Sequence, residues 1–152
     1  MAARRTNTPL AETDYRALAN FRHQLRQFLS FSEDAARAAG LQPRHHQALL
    51  AIKGFDNLSV GDLAERLRIK AHSAAELVNR LVAARLVRRR ADTVDRRKVF
   101  LSLTPIAERR LEKLTLAHRD ELQRLATLWQ PLFKVLEKSA GSRASPAPRK
   151  RR

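Results

Sequence analysis

The chain has 152 residues, and its 31 Lys and Arg against 15 Asp and Glu give a formal net charge of +16. This excess favours a polyanionic partner or an acidic surface, and the absence of cysteine excludes disulfides, thiolate zinc sites and cysteine redox sensors. The length and the 43% of hydrophobic residues suffice for one compact domain with a core.

The N-terminal part predicts a disordered polar arm, residues 1–9, followed by one long helix. No apolar stretch follows Arg4 and Arg5 as it would in a signal peptide, and no run of the chain has the length and apolar character of a membrane span. From residue 10 to residue 39 apolar residues recur at helical spacing, and Gly40 is a typical helix stop. The size of these side chains favours a partner subunit that covers them. They are Tyr15, Leu18, Phe21, Leu25, Phe28 and Leu29.

A second helix is predicted from residue 41 to residue 55, with Pro43 near its start. Its core candidates are Leu49, Leu50 and Ile52. His45 and His46 are adjacent, so on a helix they point in directions about 100° apart and cannot easily chelate one metal ion together. We therefore interpret them as solvated or hydrogen-bonded histidines.

Two short helical patterns follow, separated by only a few residues. The first opens with Ser59-x-x-Asp62, which resembles a capping box with Asp in place of Glu or Gln. The second begins between Lys70 and Ser73, where Ser73-x-x-Glu76 also resembles a capping box. Two helices joined by so short a turn are typical of a helix-turn-helix. Their inward-facing residues are Val60, Leu63, Ala64 and Leu67 in the first helix, and Ala74, Leu77, Val78 and Leu81 in the second.

A basic β-hairpin is predicted next. Arg88-Arg89-Arg90 leads into a polar turn at residues 92–95, which is followed by Arg96-Arg97-Lys98. The apolar residues then alternate with others at strand spacing, and they are Val99, Leu101 and Leu103. A helix-turn-helix followed by such a hairpin is a winged helix-turn-helix.

The C-terminal part begins with Thr104 and Pro105, which are typical of the N-cap and the first residue of a helix. Pro131 lacks a backbone donor and should kink or restart this helix, so we expect two or three terminal helices up to about residue 138. Residues 139–152 predict a disordered basic tail that attracts phosphates nonspecifically, or alternatively a vector-derived or solubilising tail. The apolar stripe comprises Leu111, Leu114, Ala117 or His118, Leu122, Leu125, Leu128, Trp129, Leu132 and Leu136.

No constellation of catalytic residues is present in the sequence. The four glycines form no phosphate-binding loop, and no H-E-x-x-H or paired-histidine spacing occurs. Neither Ser59 nor Ser73 has a base within its pattern. We therefore predict that the chain is not an enzyme and carries no metal or other cofactor.

The segment from residue 59 to residue 104 resembles the DNA-binding core of the MarR family of bacterial transcription regulators. The matching pieces are LSVGDLAERL, SAAELVNRLVAARLVRR, DTVDRRKVFLSLT and the Thr-Pro that opens the next helix. The resemblance is close over about residues 41–115. Its most discriminating part is the wing motif Asp95-Arg96-Arg97 before the alternating strand.

The resemblance implies a mainly α (α+β) domain, residues 10–138, with a winged helix-turn-helix at about residues 41–104. Residues 10–39 and 105–138 would form a helical dimerisation region. The implied protein is a bacterial, cytoplasmic and nucleoid-associated homodimer, a ligand-responsive repressor that binds double-stranded DNA at a pseudopalindromic operator. One departure is visible: Arg85 stands where the family usually has Gly, so either Arg85 adopts a strained left-handed conformation or the helix ends differently.

The same resemblance places the start of the second short helix near Lys70, which leaves His72 on an exposed first turn. His72 and Ser73 are then the best candidates for base contacts, because recognition helices read the major groove with their N-terminal residues. Asn79 and Arg80 lie further along and support the fold or touch phosphate. The alternative for this whole face is simple solvation.

In the wing, the resemblance puts Arg97 into the minor groove, with Asp95 as its orienting residue and Arg96 as a phosphate contact. A solvated charge run is the alternative. The complete set of predicted DNA contacts is Ser59, Lys70, His72, Ser73, Ala75, Glu76, Asn79, Arg80, Arg89, Arg90, Arg96 and Arg97.

Small-molecule effectors of the family typically lie between the dimerisation helices and the DNA-binding lobe. The lining candidates that this implies are Phe21, Leu25, Phe28, His45 and Leu49, and core packing is the alternative for each. Three functions remain open: a sequence-specific regulator, an architectural protein that coats DNA without sequence preference, and a protein–protein adaptor. The polar helix face and the wing arginine favour the first.

Overall fold

A computed structural model describes residues 11–141. The predicted arm, residues 1–9, and residues 142–152 of the predicted tail lie outside the described residues. The described chain divides into two compact units. We call residues 30–120 the central unit, and residues 11–29 with 121–141 the terminal unit.

The described residues form five α-helices and one two-stranded antiparallel sheet. The prediction of a mainly α fold with a small β-hairpin is therefore confirmed. In chain order the elements are α1 (Glu12–Ala38), α2 (Pro43–Gly54), α3 (Val60–Leu67), α4 (Ala71–Ala83), β1 (Val87–Ala91), β2 (Val99–Leu103) and α5 (Pro105–Gly141).

Left-handed residues close three of the described helices, and one of them is Arg68, the C-cap of α3, with a φ of 53°. Gly40, with a φ of 72°, follows α1, and the N–H of Leu41 donates to the carbonyl of Ala36 at 2.9 Å. Arg85, with a φ of 57°, follows α4 in the same way, although this conformation costs an L residue about 1–2 kcal/mol. Of the two alternatives that the sequence left open for Arg85, the left-handed conformation is the one observed.

The starts of α3 and α4 follow from local capping signals. Ser59 forms the predicted capping box: its Oγ accepts a hydrogen bond from the N–H of Asp62 at 3.2 Å, and its N–H donates to Asp62 Oδ2 at 2.9 Å. α4 begins at Ala71 with Lys70 as N-cap, which confirms the earlier of its two predicted starts. Ser73 lies inside the helix, so the pattern that begins there does not cap it.

α5 is one helix of 37 residues, with Pro131 inside it. The expectation of two or three terminal helices, with a restart at Pro131, is therefore wrong. A proline removes one backbone hydrogen bond, and the loss of one bond does not end a helix of this length. The helix also includes residues 139–141, which the sequence analysis assigned to the disordered tail.

No described helix combines the length and apolar character that crossing a membrane requires.

The core of the central unit lies where α2, α3, α4 and the hairpin meet. Its fully buried large side chains are Leu49, Leu63, Val78, Leu81 and Val87. Leu49 and Ile52 are buried as predicted, whereas Leu50 is 48% exposed. The prediction for Leu50 is wrong because one helical step of about 100° from Leu49 turns its side chain out of the core.

The predicted cap of α5 is present, since the N–H of Ala107 donates to Thr104 Oγ1 at 3.3 Å.

Candidate nucleic-acid interface

Helix α4 separates an apolar inner face from a polar outer face. Ala74, Leu77, Val78 and Leu81 are buried, as the helical spacing predicts. The opposite face is polar, with exposed His72, Glu76, Asn79 and Arg80 and half-buried Ser73 and Ala75. This face of the central unit therefore offers hydrogen-bonding groups along the whole length of an exposed helix.

The predicted wing is the hairpin of β1 and β2. Val87 lies opposite Leu103, and Ala91 lies opposite Val99. A further hydrogen bond, from the N–H of Leu101 to the carbonyl of Leu58 at 2.8 Å, ties β2 to the loop before α3. The basic residues of the wing are all exposed; they are Arg88, Arg89, Arg90, Arg96, Arg97 and Lys98.

Asp95 holds Arg97 at the tip of the wing. The N–H and the Nε of Arg97 both donate to Asp95 Oδ1 at 3.2 Å. The side chain of Arg97 is 92% exposed, against 32% for that of Asp95. The carboxylate therefore fixes the base of the guanidinium group and leaves its outer part in solvent.

Asp92 closes the turn that carries this pair. Its N–H donates to the carbonyl of Lys98 at 2.9 Å, and its carboxylate accepts hydrogen bonds from the N–H groups of Val94 and Asp95 at 3.4 Å. Burial raises the pKa of the Asp92 carboxyl, but these backbone hydrogen bonds outweigh it and hold the pKa below its usual value. The turn therefore keeps its charged carboxylate at neutral pH.

Two arginines of β1 are bound by asparagine amides elsewhere in the central unit. Arg89 Nη2 donates to Asn79 Oδ1 of α4 at 2.6 Å, and Arg90 Nη2 donates to Asn57 Oδ1 at 3.0 Å. The sequence assigned both arginines to DNA and missed these partners. Strand alternation was the available signal, because it places Arg89 on the same face as buried Val87.

The central unit contains a segment that is similar to a known protein family. Residues 39–98, which contain α2, α3, α4 and most of the wing, match the model of the MarR family. The chain therefore resembles the MarR family over this part of its length. The recognition made from the wing motif and the helix-turn-helix is confirmed.

Individual proteins are also similar to this chain. The transcriptional repressor MdtR of Bacillus subtilis is 31% identical over 75 residues, which are 49% of this chain and 48% of MdtR. The match thus spans about half the length of that curated relative. A mutant of MepR from Staphylococcus aureus, solved bound to an oligodeoxyribonucleotide, has a TM-score of 0.59 and 17% identity over 82% of this chain and 92% of its own. The regulator AbsC from Streptomyces coelicolor has a TM-score of 0.61 and 21% identity over 88% of this chain and 99% of its own. These two likenesses show a shared fold.

Two further predicted contacts, Ser59 and Lys70, are the N-cap residues of α3 and α4. The Oγ of Ser59 donates to Asp62 Oδ2 at 2.6 Å, in addition to its part in the capping box. The hydrogen bonds from the side chain and the N–H of Ser59 hold the pKa of Asp62 below its usual value. Lys70 is the N-cap of α4 but makes no capping hydrogen bond with its exposed side chain.

A cavity of about 580 Å³ lies between α4 and the start of α2 in the central unit. His45, one of the effector candidates, lines it together with Ser73, Glu76 and Arg80 of α4. Burial, and then the charge of Arg80, lower the pKa of His45. Leu49, a second candidate, is fully buried in the core. The cavity therefore combines ionisable groups of both signs with the helix that offers the polar outer face.

The other three effector candidates lie in the terminal unit. The ring of Phe21 packs edge-on against that of Trp129, with 5.5 Å between the ring centres. Phe21 also lines a cavity of about 380 Å³ with residues of the same unit, among them Leu128 and Pro131. Leu25 is exposed and Phe28 is half-buried.

His46 and His118 form a ring pair inside the central unit, with centres 4.8 Å apart. His118 contacts the carbonyl of Leu114 through Nδ1 at 2.6 Å and the Oγ of Ser32 through Nε2 at 2.7 Å. Burial, and then the charge of His118, lower the pKa of His46. Within residues 11–141, no three His, Cys, Asp or Glu side chains are grouped as metal ligands would be.

Proposed function

We propose that this chain is a transcriptional regulator of the MarR family that binds double-stranded DNA as a homodimer at a pseudopalindromic operator. The observation that carries the proposal is the pairing of two surfaces on one unit: the polar outer face of α4 and the basic wing with its fixed arginine, Arg97. An exposed helix fits the major groove, and a projecting arginine suits a narrow minor groove. A regulator of this kind works in the bacterial cytoplasm, at the nucleoid.

The position of each side chain along α4 decides which part of the DNA we propose that it contacts. His72 and Ser73 lie in its first turn and are proposed to contact base edges. Lys70, Arg80 and Arg96 carry exposed positive charges suited to phosphates. Small Ala75 lets the helix approach the bases closely. The remaining proposed contacts, whose roles are less defined, are Ser59 and Glu76. Asn79, Arg89 and Arg90 were also expected to contact DNA, but the hydrogen bonds from Arg89 to Asn79 and from Arg90 to Asn57 hold them within the protein.

The terminal unit supports the homodimer. Several of its large apolar side chains are exposed in the single chain, among them Tyr15 and Leu18 at 57% each. Others are Leu29, Leu122, Leu128 and Phe133. Apolar surface of this extent is typical of a surface that a partner covers, and a twofold partner would bring two copies of α4 to one face of the duplex.

We also propose that a small molecule controls binding. The cavity beside α4 has a volume in the usual range of ligand sites, and Ser73, Glu76 and Arg80 both line it and belong to the proposed interface. A ligand seated there would compete with the DNA-bound position of α4, which would make this regulator a ligand-responsive repressor. Phe21, Leu25 and Phe28 remain candidates for an effector site in the terminal unit.

The test is selection of bound sites from a random DNA pool, followed by anisotropy titrations with the selected operator and with unrelated DNA. His72→Ala or Ser73→Ala should weaken operator binding by about 1–3 kcal/mol for each lost base contact and should affect unrelated DNA much less. Equal weakening on both sequences would show that these side chains contact only the backbone. A matched control is Ser102→Ala, which changes the same side chain on the wing strand β2.

A second candidate, an architectural DNA-coating protein, is favoured by the net charge of +16. Such a protein would bind selected and unrelated DNA alike, whereas a regulator binds its operator at least about a thousandfold more tightly. Absence of any salt-dependent DNA binding would leave a protein–protein adaptor as the remaining function.

A further inference from the structure

We infer that Arg89 is a positioning residue, which locks the wing to α4 through Asn79 and so sets the register between major-groove and minor-groove contacts. The inference rests on the proposed function for its DNA readout. It assigns to Arg89 a role within the protein in place of the phosphate contact expected from its charge.

The geometry of β1 directs Arg89 back towards the central unit. Arg89 pairs with Leu101 across the hairpin, and directly paired residues of antiparallel strands share one face. Leu101 is buried, and so is Val87, two residues before Arg89 on the same face. The guanidinium group emerges beside α4 and donates to Asn79 Oδ1 at 2.6 Å.

A second arginine holds the opposite face of the wing. Arg90 pairs with Phe100 on that face and donates to Asn57 Oδ1 at 3.0 Å. Asn57 has a φ of 54° in the loop between α2 and α3. The wing is therefore bound to α4 on one face and to this loop on the other, which opposes rotation of the hairpin in both directions.

The hydrogen bond of Arg89 matters most at the wing tip. Val87 and Leu101 anchor the base of the hairpin in the core, but beyond them the wing is a two-stranded ribbon, which has little stability of its own. β1 has five residues, so the hairpin arm is roughly 16 Å long. A rotation of about 10° at its base would move the tip by about 3 Å, close to the rise of one base pair. The hydrogen bond of Arg89 thus bears on which base step Arg97 reaches.

The experiment uses operators in which an A·T-rich flank is either in register with the half-site or shifted by one base pair. For the wild type we expect the shift to raise Kd about tenfold. Arg89→Ala and Asn79→Ala should each reduce this ratio to about threefold or less, and the double variant should reduce it no further, because both changes break one contact.

Matched variants separate the positioning role of Arg89 from the effect of removing a positive charge. Arg88→Ala removes the same charge from the neighbouring position of β1, where the side chain makes no hydrogen bond or ion pair with any described residue, and it should keep the wild-type ratio. Asn79→Asp keeps an acceptor for Arg89 and should also keep the ratio, whatever it does to overall affinity. Thermal melts confirm that each variant is folded.

A measurement without DNA completes the test. Backbone ¹⁵N order parameters of residues 92–98 should fall in Arg89→Ala and Asn79→Ala and should stay unchanged in Arg88→Ala. If Arg89→Ala keeps the register ratio and only flattens the salt dependence by about one unit, Arg89 is a phosphate contact and the inference is overturned. A wild type that binds all sequences alike would overturn the proposed function as well, so the two failures are distinguishable.

Discussion

Replacing Arg97 by Ala should weaken DNA binding mainly on operators with A·T-rich flanks. A narrow A·T-rich minor groove has an enhanced negative potential, and Arg97 stands at the wing tip with most of its guanidinium group in solvent. A G·C-rich flank offers a wider groove, where the same arginine would meet only the general field of the phosphates.

The size of the effect follows from the contacts of Arg97. Its bond to Asp95 lies at the surface, at 3.2 Å, and exposed pairs contribute less than about 1 kcal/mol, so the variant should fold normally. A hydrogen bond to a charged group contributes about 1.5–3 kcal/mol. We therefore expect the affinity for A·T-rich flanks to fall about tenfold to a hundredfold for each wing. The slope of log K against log salt should become shallower by about 0.9 for each lost phosphate neutralisation.

Variants of two neighbouring residues separate the effect of the position of Arg97 from the effect of its positive charge. Asp95→Ala frees Arg97 without removing its charge, so we expect a smaller loss of preference for A·T-rich flanks and unchanged or higher affinity for unrelated DNA. Arg96→Ala removes one charge from the adjacent residue and should weaken binding to both kinds of flank alike.

The assay is fluorescence anisotropy with operators that differ only in their flanks, at several salt concentrations. A loss in Arg97→Ala that is the same on A·T-rich and G·C-rich flanks would make Arg97 a plain phosphate contact. The minor-groove assignment would then be wrong, and the preference for A·T-rich DNA would have to come from another residue.

Four further predictions concern stability, acid response, assembly and the tail. Ser59→Ala removes the capping box of α3 and should lower the free energy of unfolding by about 1 kcal/mol in denaturant titrations; an unchanged midpoint would contradict this. Because the pKa of His46 is lowered in the fold, the unfolded chain binds the proton more readily, so stability should fall as the pH drops below about 6.5. His46→Gln should make melting less dependent on pH, and an equal dependence in both proteins would refute the role of His46. Light scattering at micromolar concentration should show a dimer formed through residues 10–39 and 105–138, which Leu18→Glu weakens; a stable, cooperatively folding wild-type monomer would rule the dimer out. Removing residues 143–152 deletes five basic and no acidic residues, so nonspecific affinity should fall and its salt dependence should flatten while specificity stays; an unchanged salt slope would exclude tail contacts with DNA.

The sequence by itself determined the features that depend on neighbouring residues. The capping box at Ser59, the N-cap at Thr104 and the left-handed stop at Gly40 each involve groups within a few positions of one another. The two faces of α4 follow from helical spacing, and the hairpin follows from strand alternation around a polar turn. These local preferences agree with the tertiary structure, so they could be predicted with correct boundaries to within a few residues.

Only the tertiary structure decided the features that depend on which distant segments meet. The helical spacing around residue 50 did not reveal which side of α2 faces the core, and Pro131 did not break α5. The hydrogen bond between Arg89 and Asn79 spans ten positions, and that between His118 and Ser32 spans 86. The charge of an arginine predicts an anionic partner, but a nearby amide oxygen is an equally good acceptor, and only the packing of β1 against α4 brings that oxygen within 2.6 Å.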